Sequence, residues 1–302
     1  MSFHELSYRL HEERDVSHEE TMDLELYKKW FDSGSVDLWR HLRMFHLLDP
    51  FLEEFTGASW LTVADGTYGT AAIYVGRKGG QALPVDINVS LLEAAKSNGM
   101  IQAYRKENAE SLSFPADSFD FALCKEAYHH FPRPLMALYE MLRVSKRAAI
   151  LVEPADWLPS PVPRRVMQLA KNRLKTLLGR EIPHPDTGNF EPVGNYVYNI
   201  SERELQKVAL GLNLPTVAFK RFHDVHLDGV EFEKADETSE LLKRTKREIR
   251  KNNLLCRLGL STMNHVAAVI FKISPEASLR DRLQSLGYRI LDLPKNPYLK
   301  GI

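Results

Sequence analysis

A doubly wound α/β domain is the fold this sequence predicts, and three observations carry the expectation. Short apolar runs alternate with helix-length segments between Trp60 and Val152. A turn of small residues follows the first run, and a carboxylate, Asp86, closes the second. The composition allows such a core: of 302 residues, 44% are apolar and 26% charged, which excludes wholesale disorder. Forty basic residues balance forty acidic ones, arguing against nucleic-acid binding driven by net charge. No apolar run approaches the roughly 18 residues of a membrane span. The polar, acidic first twenty residues do not resemble a secretion signal, so a cytoplasmic location is expected. Cys124 and Cys256 make neither a disulfide framework nor a four-ligand zinc site.

Taken in order, residues 1–56 are expected to form a helical cap. Between Asp23 and Phe55, Leu38, His41, Leu42, Phe45, Leu48 and Leu52 recur three and four apart, on one helix face. The α/β core is expected over 57–155. Residues 60–64 (WLTVA) read as a buried strand, 65–69 as a turn and 70–77 as a helix ended by Lys78, Gly79 and Gly80. Residues 82–85 read as a second strand, although Pro84 weakens it by lacking an N–H for the ladder. A helix over 89–97, a strand over 119–124, a helix over 134–144 and a strand over 148–152 continue the alternation. Ligands of such sheets sit at the carboxyl ends of strands, which points to the residues after Ala64, Val85, Cys124 and Val152.

After Glu153 the pattern breaks. Residues 156–200, rich in proline, arginine and aromatics, are expected to be an inserted lid or substrate-binding segment with a helix over 166–178. Trp157, Arg164, Arg165, His184, Phe190, Tyr196 and Tyr198 are its candidate ligand contacts. Residues 201–274 supply a remaining core helix and edge strands around a basic insertion. Ser201 to Glu204 read as a capping box, and 216–227 and 265–273 as strands whose pairing gives an antiparallel edge. Residues 275–302 read as a C-terminal tail.

Ala64, Gly66 and Gly69 fall at the spacing of a G-x-G-x-x-G loop with alanine first, where small residues let a ligand approach the backbone. Asp86, about 20 residues on, suits a carboxylate that accepts from two ribose hydroxyls. This pattern alone fits NAD-binding folds, S-adenosylmethionine-binding folds, or a structural turn beside a surface aspartate.

The run Glu107 to Pro115 (ENAESLSFP) followed by Asp117 to Phe121 (DSFDF) resembles the class I S-adenosylmethionine-dependent methyltransferases, whose usual form is GDAExLPFPDxSFDxV. Glu126 to Phe131 (EAYHHF), Leu142 to Val144 and Ile150 to Pro154 look like the family's following motifs. The resemblance covers roughly residues 60–154 and implies a Rossmann-like, mostly parallel seven-stranded sheet with an antiparallel edge strand. Within the family it is similar to the type 11 small-molecule branch. It implies S-adenosylmethionine as cofactor and S-adenosylhomocysteine as product. The cofactor contacts it implies are Ala64, Asp65, Gly66, Tyr68 and Gly69 in the loop, Asp86 and Ile87 for the ribose, Asn108, Ala109 and Glu110 for adenine, and Lys125. Tyr68 stands where the family has a glycine, so its side chain must point away from the methionine moiety or pack against it. Asp65 is placed to receive the cofactor's amino group.

Candidate bases follow the fourth strand: Glu126, His129 and His130, since a histidine with a near-neutral pKa can deprotonate a hydroxyl as it attacks. The bland alternative is that one of two adjacent histidines packs or caps. Glu153 and Asp156 could orient the acceptor. Hydride transfer of the short-chain type needs a Tyr-x-x-x-Lys pair past the fourth strand; here that spacing, Tyr74 and Lys78, lies in the first helix. The reading is methyl transfer to an oxygen or nitrogen of a small molecule, with a saccharide or carbohydrate precursor favoured and a homodimer left open. Two other readings stand beside it: a non-catalytic cofactor-binding scaffold, motivated by the altered loop, and an RNA methyltransferase, motivated by the basic run Lys243 to Lys251. No metal is expected, because His223 and His226 would point to opposite faces of a strand.

Overall fold

In a computed structural model of the chain, the described residues are 2–13, 30–156, 162–178, 189–191 and 195–298. Eight strands form one sheet among them: β1 (Ser59–Val63), β2 (Gln81–Asp86), β3 (Arg105–Lys106), β4 (Phe119–Lys125), β5 (Ser145–Pro154), β6 (Thr216–Phe222), β7 (His265–Phe271) and β8 (Arg289–Asp292). Their order across the sheet is β3-β2-β1-β4-β5-β7-β6-β8, with the first five parallel and β7 antiparallel to both its neighbours. The doubly wound fold is as expected, with one strand more.

The antiparallel edge is as expected, and the extra strand that closes it corrects one expectation. The antiparallel strand 265–271 lies inside the sheet, and β8, antiparallel to β6, forms the edge. The presumed tail therefore completes the sheet: it folds back as a helix over Ala277–Ser285 and buries Leu279 and Leu283. Pro84 is tolerated because the outer neighbour β3 pairs only with Val85 and Asp86, so no strand calls on an N–H at position 84 from that side.

Alternating residues feed two apolar layers, as the two-residue period of a strand dictates. On one face Trp60, Phe121, Leu123, Ile150, Val269 and Phe271 pack with Phe45, Phe51, Tyr74 and Leu283. On the other, Leu61, Val63, Ala122, Leu151, Ala268 and Ile270 pack with Leu138, Met141 and Leu205. The helices, in chain order, are α1 (Phe3–Glu12), α2 (Trp30–Ser33), α3 (Val36–Phe45), α4 (Asp49–Glu54), α5 (Thr70–Arg77), α6 (Ser90–Ser97), α7 (Pro134–Val144), α8 (Val162–Leu177), α9 (Glu202–Gly211), α10 (Glu240–Arg257) and α11 (Ala277–Ser285).

Two local expectations fail. Ser201 makes no side-chain cap bond; Glu204 instead accepts from the Tyr198 hydroxyl at 2.9 Å, and Glu202 pairs with Arg221 at 2.6 Å. The strand expected over 216–227 stops at Phe222, where His223 and Asp224 turn into a buried polar network.

Candidate active site

One cavity of about 690 Å³ opens at the carboxyl ends of β1, β2 and β4. Its first wall is the turn after β1. Ala64 takes φ 55°, a left-handed conformation that a small side chain tolerates best. A Cβ on Gly66 would meet Asp86 Oδ2 at 2.5 Å, so only glycine lets the turn close against that carboxylate. Asp86 receives the Asn88 backbone N–H at 2.9 Å, and burial lifts its pKa against that donor and the Gly66 and Ile87 amides. Ala64, Gly66, Asp86, Ile87, Asn108 and Ala109 all line the cavity, together with Thr67, Thr70, Asn88 and Ser90, which sequence reasoning did not single out.

Of four further expected cofactor contacts, Asp65 and Glu110 line the cavity but are already engaged, and Tyr68 and Gly69 lie outside its lining. Both oxygens of Asp65 are occupied: they accept from the Ala71 and Ala72 amides at 3.1 and 2.9 Å and from Thr62 Oγ1 at 2.9 Å, holding the first turn of α5. Burial pushes this carboxyl up to about 6. Tyr68 and Gly69 do not line the cavity; Tyr68 is buried with Leu92, Ala95 and Ile101, and Gly69 at φ 69° packs on Ile101 behind the loop. The Glu110 carboxylate accepts from Tyr8 Oη, from the Arg133 backbone amide and from Arg133 Nε at 2.7 Å, so it ties α1 to the turn before α7. Asn108 forms an Asx turn, its Oδ1 accepting from the Glu110 amide at 2.9 Å. Its second lone pair is the one left for a ligand.

The opposite end of the cavity is charged, and the helical cap supplies much of it: Trp30, Asp37, Arg40 and His41, with Lys125, Glu126, His226 and Glu231. Arg40 bridges Asp37 at 2.9 Å and Asp224, linking the cap to the segment after β6. Lys125, expected at the cofactor, faces this end: its Nζ lies 2.9 Å from His41 Nδ1, 3.4 Å from Glu126 Oε2 and over the Phe45 ring. Burial and Lys125 hold His41 well below the usual histidine range, so it is neutral. Glu126 takes φ 52°, a strained conformation for a side chain of its size. Burial would raise its pKa, but the charge of Lys125 and the hydrogen bond from His265 outweigh that and hold it well below the carboxylate range. An ionised, paired Glu126 is a poor proton acceptor and a good electrostatic partner.

The two candidate histidines separate. His129 does not line the cavity; its Nδ1 lies 2.7 Å from Glu153 Oε2, a carboxylate fully buried in β5 that also accepts from the Ala127 and Tyr128 amides. Burial lowers its pKa, yet the Glu153 bond and charge prevail and raise it. His130 lines the cavity, with Nδ1 2.7 Å from Glu191 Oε1 of the insertion. If Nδ1 donates to Glu191, the free Nε2 is the acceptor. Asn195, fully buried, accepts from Ser7 Oγ at 2.6 Å and donates to the His130 carbonyl at 2.5 Å, so α1 and the insertion clamp the same turn. Tyr8 and His11 of α1 complete the wall.

Of the other lid candidates, Phe190, Tyr196 and Tyr198 form an edge-to-face chain outside the cavity lining. Trp157 and His184, and the side chains of Arg164 and Arg165, lie outside the described residues. Of the histidines and aspartates considered as metal ligands, His223 contacts Asn264 and Cys256, Asp224 pairs with Arg40, and His226 pairs with Glu231 at 2.8 Å.

The residues present fit the adenosyl cofactor. A glycine turn closed on a ribose-height carboxylate, an Asx turn beside it and a cavity within the usual range for small ligands are the required parts. Residues 61–152 match the family model described as a methyltransferase domain. No curated protein matches the chain. Solved structures do: a candidate sarcosine dimethylglycine methyltransferase of Galdieria sulphuraria is 16% identical with a TM-score of 0.50, over 82% of this chain and 98% of that one. A Haemonchus contortus phosphoethanolamine N-methyltransferase, solved with phosphomonomethylethanolamine and S-adenosylhomocysteine, is 14% identical with a TM-score of 0.50, over 91% of this chain and 61% of that one. Residues 61–152 thus match a methyltransferase domain, in a chain that shares the doubly wound fold of these solved methyltransferases.

Proposed function

We propose that this chain methylates a hydroxyl oxygen of a small polyhydroxylated acceptor, of the saccharide class, with S-adenosylmethionine as donor. The observation that carries the reading is a cavity that runs without a break from the Gly66–Asp86 turn to a wall of paired charges of both signs beside Trp30. Paired donors and acceptors satisfy a polyol without leaving an uncompensated buried charge, and an indole supports the apolar face of a sugar ring.

Asp86, Asn108, Ala109 and the amides of the turn would hold the nucleoside. The cofactor, when bound, supplies an electrophilic methyl group on sulfur. The chain's own part is alignment, exclusion of water and handling of one proton. Tyr8 and His11 close the cavity from outside. The ionised Glu126 and Lys125 orient the acceptor. His130, fixed through Nδ1 by Glu191, takes the hydroxyl proton on Nε2 as the oxygen attacks. A second reading, an amine acceptor, is favoured by one observation: Asp37, Glu126 and Glu231 place three carboxylates at the acceptor end.

Calorimetric titration with S-adenosylmethionine, S-adenosylhomocysteine and NAD tests the cofactor, with micromolar binding expected for the first two and none for the third. Transfer of labelled methyl groups to a panel of sugars and amines tests the acceptor. Methylation of the amines alone would replace the first reading by the second.

A further inference from the structure

The charge of this chain is unevenly distributed. Residues 162–178 hold five basic residues and no acidic one, and α10 holds seven basic and two acidic, so a chain of zero formal charge carries ten net positive charges in two helical segments. The first exposes apolar side chains along its length; α10 buries its apolar face through Leu242 and Ile249 and exposes leucines at its carboxyl end. Every described side chain of 162–178 is exposed, including Val166, Leu169 at 65%, Leu174, Leu177 at 84% and Leu178. At the end of α10, Leu254, Leu258 and Leu260 are exposed in the same way. The topology roots both segments at one end of the molecule. The segment holding α8 leaves the carboxyl end of β5, while α10 lies between the carboxyl end of β6 and the start of the antiparallel β7. All three strand ends share the edge of the sheet where the cavity opens.

We infer that α8 and the carboxyl half of α10 dock this edge on a bilayer of anionic phospholipid, lying in the headgroup layer rather than spanning it. Lysines and arginines meet the lipid phosphates while the leucines enter the acyl boundary, the two contributions an interfacial helix combines. A polyanion such as RNA would match the charge but leave the leucines in water, since contacts to phosphates cover no apolar surface. The docking turns the mouth of the cavity toward the membrane. It stands independently of the proposed acceptor.

The test is flotation of the full chain with vesicles of phosphatidylglycerol and phosphatidylcholine, against phosphatidylcholine alone, at low and high salt. The chain is expected to float with the anionic vesicles and not with the neutral ones. The double substitution Leu169→Glu and Leu177→Glu should cut the bound fraction at least about tenfold. A second variant, Leu254→Glu with Leu258→Glu, should weaken binding independently. All four side chains are exposed, so unchanged thermal unfolding and cofactor affinity show that the fold is intact. Failure to float with anionic vesicles overturns the inference. So does flotation that survives both leucine variants and vanishes with salt, which would be bare charge attraction, or RNA binding that outcompetes the vesicles.

Discussion

His129 and His130 are adjacent in sequence, but their partners assign them different tasks. His129 reaches back into the sheet to a buried carboxylate, whereas His130 faces the cavity with Glu191 behind it. His130→Ala is expected to lower kcat by about 10²–10⁴-fold with little change in cofactor affinity, the usual effect of losing a general base. His129→Ala should instead destabilise the protein, by roughly 3–5 kcal/mol, because it leaves Glu153 charged and buried without its ionic partner; chemical denaturation measures this. The folded His129 has a raised pKa, so its contribution to stability is complete below about pH 6.5 and fades as pH rises through the folded value. Melting temperature should fall over that interval in the wild type and be flatter in His129→Gln. Asp86→Ala should weaken S-adenosylhomocysteine binding at least about tenfold; unchanged affinity would place the ribose elsewhere. Sequence could single out Asp86 and the histidines because they sit in local motifs. It assigned Asp65 to the cofactor's amino group, whereas the carboxylate turns inward to a helix end, and it gave no access to Arg40, or to the polar role of His41, whose helical spacing reads as core until tertiary packing brings Lys125 against it.

Among the elements, the strands and helices between Trp60 and Pro154 were legible because period and punctuation agree there. Helices over Thr70–Arg77 and Pro134–Val144 begin and end where glycine, proline and apolar spacing put them. The role of α1 was not legible. Its sequence is polar, and only the fold shows that Ser7, Tyr8 and Glu12 fasten it across the cavity, to Asn195, Glu110 and Lys106. Ser7→Ala deprives the buried Asn195 Oδ1 of its donor, at a cost of about 1–3 kcal/mol. Amide exchange over residues 3–12 should quicken while the central strands stay protected. If the whole domain loosens together, α1 is part of the core and not a cover.

For the molecule as a whole, the presumed tail proves to be structural. Leu283 is fully buried against the same layer as Phe51 and Phe271, so Leu283→Ala should cost about 2–5 kcal/mol in thermal or denaturant unfolding. The alternation of sequence identified the sheet but located neither β3, only two residues long, nor β8, which is four residues long and whose inner residues Ile290 and Leu291 are partly exposed.

The insertion after β5 departs and returns at a single point: Ala155 pairs with Ile200, the Asp156 amide donates to Ile200 and the Ile200 amide to Pro154. With its two ends fastened side by side, the excursion behaves as an interchangeable cassette. Doubling its length adds only about 0.6 kcal/mol of closure entropy, and swapping it for another leaves every strand register untouched. Changes of length and sequence can therefore accumulate in this one stretch while the sheet and its glycine turn stay as they are.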